Sequence, residues 1–94
     1  MIRVKQTNET DPLAFLVTIT ESSGETSHQV TLSQGTYQKL TGGKVSAVDC
    51  VQAAFMFLLE REPQEAILGQ FDITVISHYF PDFERELPRY LEQL

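Results

Sequence analysis

Ninety-four residues with a single cysteine suit one domain with one core, residues 1–94, and exclude both a disulfide framework and a cysteine-based zinc cluster. A hydrophobic content of 41% excludes wholesale disorder. The net charge of −6 lies wholly in residues 46–94, where three arginines face nine carboxylates, and such a surface repels nucleic acid and anionic membranes as partners.

Ile2 and Val4 alternate with Arg3 and Lys5, which predicts a short strand over residues 1–5. The opening MIRVKQTNETD has no apolar run of the signal-peptide kind, so a cytoplasmic protein is expected. QTNETDP, residues 6–12, has loop chemistry. Phe15, Val17 and Ile19 then alternate with Leu16, Thr18 and Thr20. ESSGE turns around Gly24, and His28, Val30 and Leu32 alternate with Gln29 and Thr31. Together they predict a β-hairpin over residues 14–32, which must pack on a helix or gain a strand to be stable.

Ser33 is placed to cap a short helix through Leu40, with Tyr37 and Leu40 inward, and TGGK stops it with paired glycines. The stretch SAVDCVQAAFMFLLEREP follows and organises the chain. Ser46 and Asp49 have capping-box spacing, Val45 and Cys50 staple spacing, and Pro63 ends the helix, giving residues 46–62. Val48, Val51, Phe55 and Leu58 define one buried stripe and Cys50, Ala54 and Phe57 a second. Only Asp49, Gln52, Met56 and Glu60 suit water, as in a helix at the centre of its domain.

Beyond Pro63, residues 64–68 predict one or two helical turns ended by Gly69. Over residues 72–80, Asp72 as cap with Phe71 and Ile76 as staple favours a helix, although ITVI also suits a strand. In the last segment Phe83, Leu87, Tyr90, Leu91 and Leu94 keep helical spacing, and Pro88 is expected to kink or split it.

No motif for catalysis, a cofactor or a metal is present. His28 reads as a cross-strand partner, His78 as a partly buried helix residue, and Cys50 as packing. TGGKVS runs into a helix N-terminus, so Gly42, Gly43, Lys44 and Ser46 form a candidate anion site. It is not a P-loop, because Val45 follows the lysine and Gln stands at position 38. Glu60, Glu62 and Glu65 cluster at a helix end, where solvent denies them the separated pKa values of acid–base pairs.

The order HQVTL, SQGTYQKL, TGGKV, SAVDCVQAAFMFLLERE resembles a ribbon-helix-helix domain, a family that pairs strands in a dimer and lays the ribbon in the DNA major groove. The resemblance implies that Gln29 and Thr31 would face bases and that the helix opening at Ser46 would take a phosphate. A strand without Arg or Lys ranks this second. FLLEREP, IL, FDI, VI and YFPDFE are similar to a set of small bacterial proteins with no activity to transfer, which implies a compact domain.

The expected fold is α+β: an antiparallel sheet of hairpin 14–32, with residues 1–5 as third strand, then helices built around residues 46–62. The expected function is a small non-catalytic protein-interaction or regulatory module, whose partner is another protein or a second copy. A homodimer is favoured, because the central helix is apolar nearly all round and few elements remain to cover it. A DNA-binding regulator is the alternative, and a weak anion or small-molecule binder the third reading.

Overall fold

Alternation in the first third of the chain becomes three antiparallel strands, β1 (Ile2–Asn8), β2 (Leu13–Glu21) and β3 (Gly24–Leu32), in a computed structural model that describes residues 1–94. Leu13, Phe15, Val17 and Ile19 are buried on one face of β2, and His28, Val30 and Leu32 continue that face on β3. The hairpin turn is Ser22-Ser23, and Gly24 opens β3 at φ +134, where a side chain would be strained. β1 sets Ile2 against Ile19 and Val4 against Val17, and it runs to Asn8 through a register shift rather than stopping at residue 5.

A fourth strand, β4 (Gln70–Asp72), pairs parallel with β3, placing Phe71 opposite Val30. The sheet is therefore mixed, in the order β1-β2-β3-β4, and not antiparallel throughout. Over Gln29–Thr31 strand β3 is flanked on both sides.

The helices start where their caps stand. Ser33 Oγ accepts the Thr36 N–H at 3.0 Å and opens α1 (Gln34–Thr41), which Gly42 ends in the left-handed conformation. Tyr37 and Leu40 are half-buried inward, and the Tyr37 hydroxyl donates to the Val45 carbonyl. Ser46 Oγ accepts the Asp49 N–H at 3.0 Å, one of the two bonds of a capping box, and opens α2 (Ala47–Leu59). This helix ends three residues short of the expected 62. The Arg61 and Glu62 N–H groups both converge on the Leu58 carbonyl, and Pro63 is extended.

Both predicted stripes of α2 are inside: Cys50, Val51, Ala54, Phe55, Phe57 and Leu58 are buried, with Val48 half-buried. After a short 3₁₀ turn, Gln64–Ala66, and β4, the chain forms α3 (Thr74–Tyr79) and α4 (Phe83–Leu91). The helix chosen for residues 72–80 is thus present from Thr74. Of the two outcomes expected at Pro88, a split does not occur, and α4 runs through it unbroken. The carbonyl it leaves without its helical partner belongs to exposed Glu84, while Phe83, Leu87 and Tyr90 stay packed inward.

Tail α4 supplies the cover that the sequence left open. Phe83 and Tyr90 meet Phe57 edge-on at 5.1 and 5.8 Å, and Phe80 does so at 5.9 Å. The Arg61 guanidinium lies 3.6 Å over the Phe57 ring and bonds the Tyr90 hydroxyl and Asp82, while Tyr90 donates to Glu60 at 2.8 Å. The single chain exposes 5344 Å², close to the about 5,500 Å² of a folded monomer of this mass.

Phe57→Ala is expected to cost about 3–5 kcal/mol, because it removes the ring that three aromatic groups and Arg61 pack on. Urea denaturation measures this, and a loss under about 1 kcal/mol would place the ring outside the core.

Candidate functional site

His28 is buried, opposite Val17 on the inward face, with its ring 5.6 Å from that of Phe55. Its Nδ1 is 2.7 Å from the Leu68 carbonyl and donates to it, and its Nε2 is hydrogen-bonded with the Thr26 hydroxyl at 2.9 Å. Both ring nitrogens are spent, and their effect is to hold the segment before β4 onto the sheet. His78 sits exposed on α3, not partly buried as expected, since Val75, Ile76 and Phe80 take the inward side. Cys50 is buried, and desolvation pushes its thiol up to about 11, so it is not a ready nucleophile.

Three backbone donors of the candidate anion turn are engaged within α1 and the turn. Gly42 N–H donates to the Gln38 carbonyl, Gly43 N–H to Thr41 Oγ1, and Lys44 N–H to the Thr41 carbonyl. Ser46 Oγ caps α2. Gly42 and Gly43, at φ +66 and +75, form a glycine turn between helices. Gln29 and Thr31 lie on the sheet face that no helix covers, and Thr31 donates to Asp72. No three His, Cys, Asp or Glu side chains are grouped to hold a metal ion, and no helix is long and apolar enough to cross a membrane.

The structure instead shows a site that sequence reasoning missed. The chain leaves α2 at Pro63, returns through the 3₁₀ turn, adds β4 and folds into α3. These segments enclose an apolar cleft of about 420 Å³. Leu58 and Ile67 form its floor and are buried. Phe71 on β4 and Val75, Ile76 and Phe80 from α3 and its end line the walls. Leu68 and Tyr79 stand at the rim, 49% and 68% exposed. Nine of the ten lining residues are apolar, and the tenth is Glu62.

Glu62 also lines a second, acidic hollow of about 300 Å³, together with Glu21, Glu65, Ser22, Ser23 and Gln64. The three glutamates grouped in the sequence thus diverge: Glu60 accepts from Tyr90, Glu62 faces the cleft and the hollow, and Glu65 faces the hollow. No lysine or arginine lines either space.

Asp72 braces the cleft wall. Its carboxylate accepts from the Thr31 hydroxyl across the parallel pair and from the Thr74 N–H and hydroxyl at 3.1 and 2.7 Å, which fixes the turn from β4 into α3. Burial pushes its carboxyl upward, but these donors outweigh burial and hold it below the ordinary 3.8.

The chain matches no protein-family model, no curated protein and no solved structure.

With its folded pKa depressed, Asp72 contributes stability that is present above the ordinary 3.8 and lost as pH falls through the folded value. Asp72→Asn is therefore expected to destabilise the protein at neutral pH, with the gap to the parent narrowing below about pH 4. Denaturation midpoints across pH 2–7 on both proteins measure it. A gap that stays constant with pH would remove the charge from the brace.

Proposed function

We propose that this protein is a non-catalytic interaction module whose cleft beside the end of α2 receives apolar side chains of a partner protein. The observation that carries the reading is the cleft itself: nine apolar residues of ten, open to solvent, with Leu68 and Tyr79 exposed at its rim. Of the four large apolar residues left exposed on this chain, these two share one site. Apolar surface concentrated at a concave site and rimmed by polar groups marks binding rather than chance exposure. A cleft with one carboxylate and no nucleophile beside it offers recognition in place of a reaction. The exposed rim favours a protein over a small molecule, whose pockets enclose most of the ligand surface. A cytoplasmic setting belongs to the same proposal, supported by a lone cysteine that is free and buried.

A photoreactive benzoylphenylalanine placed at Tyr79, on the rim, tests the reading in cells of the source organism. We expect one discrete protein adduct from position 79, none from the same group at Thr18 on the open sheet face, and loss of the adduct when Val75→Glu is added. Equal labelling from both positions, or none from either, would overturn the proposal.

A further inference from the structure

We infer that the segment received by the cleft carries a basic side chain next to its apolar anchors, and that this side chain enters the acidic hollow beyond Glu62. The inference rests on the cleft being a partner site. Cleft and hollow share Glu62, so one short segment can lie across both. Glu62 is half-buried and makes no ion pair, whereas Arg61, one residue earlier, is committed to Asp82 and Tyr90. A partly desolvated carboxylate is weakly screened and rewards an incoming cation more than an exposed one does.

Gln64, which also lines the hollow, carries a buried acceptor without a donor. Gln64 is 4% exposed, and its Nε2 must face the carbonyls of Gly24 at 3.1 Å and Ile19 at 3.5 Å. Those two acceptors set the amide orientation, so the atom left without a partner is Oε1. An ammonium or guanidinium brings donors alone and suits Glu62 and Glu65 together. Glu21 is partly satisfied, 3.7 Å from the Met1 ammonium, and Glu65 accepts from Ser23. A second copy is a poor occupant, because a two-fold pair sets the same acidic rim against itself.

Selection of phage-displayed random dodecapeptides on the folded protein tests this, followed by fluorescence anisotropy of the selected peptides as synthetic probes. We expect the winners to place Lys or Arg beside two or more apolar residues. Glu62→Lys should weaken them about tenfold, and Glu92→Lys, on the far end of α4, should not. Val75→Glu should abolish binding, with Tyr79→Asp as a second variant at an exposed position should the first fail to fold. Winners without basic residues that ignore Glu62→Lys but are lost with Val75→Glu would overturn the inference and leave the cleft reading standing. Winners that ignore Val75→Glu and Tyr79→Asp, or no winners, would overturn both. A dimer by light scattering that Tyr79→Asp dissolves would give the cleft to a second copy and overturn both as stated.

Discussion

Two phenylalanines, two residues apart on α2, hold the architecture together. A helix turns each residue about 100°, so Phe55 and Phe57 point to nearly opposite sides. Phe55 meets the sheet, its ring 5.6 Å from His28 and 5.9 Å from Phe71. Phe57 meets Phe80, Phe83 and Tyr90 from the C-terminal helices. The helix is thus a shared layer, covered by the sheet on one side and by α4 on the other. A short chain can hide an almost wholly apolar helix only if elements from both of its ends converge on it. That requirement brings β4 back to β3 and sends the tail across α2.

The cover ends where α2 does. Pro63 turns the chain away before the last apolar turn is sealed, so Leu58 looks out between the returning segments. The same turn carries Glu60, Glu62 and Glu65, which explains why an apolar cleft and an acidic hollow share a border. The acidic excess of residues 46–94 is therefore not a uniform solvated surface. Part of it, at Asp82 and Glu60, is tied to Arg61 and Tyr90 inside the helical layer, and part of it rims the cleft.

What could be read from the chain alone was whatever local stereochemistry decides. Ser33 and Ser46 cap their helices, Gly42 and Gly43 turn left-handed, and residues 14–32 alternate as a hairpin because each rule acts over a few neighbouring residues. β4 escaped because three residues carry no period, and Phe71 fitted a helix staple equally well. Pro88 leaves α4 unbroken because the carbonyl deprived of its partner belongs to Glu84, which is exposed. The cleft was invisible for a further reason. Four segments contribute to it, each with one to four side chains, and only their meeting in space makes a site. Leu68 and Tyr79 were the available hints, as apolar residues outside every predicted stripe.

The parallel pair of β3 and β4 joins residues far apart in the chain, with Thr31 and Asp72 separated by 41 positions. Closing so long a loop gives up chain entropy, and only three residue pairs return the favour. The hairpin of β2 and β3, by contrast, closes over two serines. From loop closure alone, residues 64–80 are accordingly expected to order after the hairpin and to loosen before it. The walls of the cleft belong to that less stable unit and its floor at Leu58 to the persistent one. Amide protons along residues 67–73 are therefore expected to exchange with solvent through a local opening of these segments.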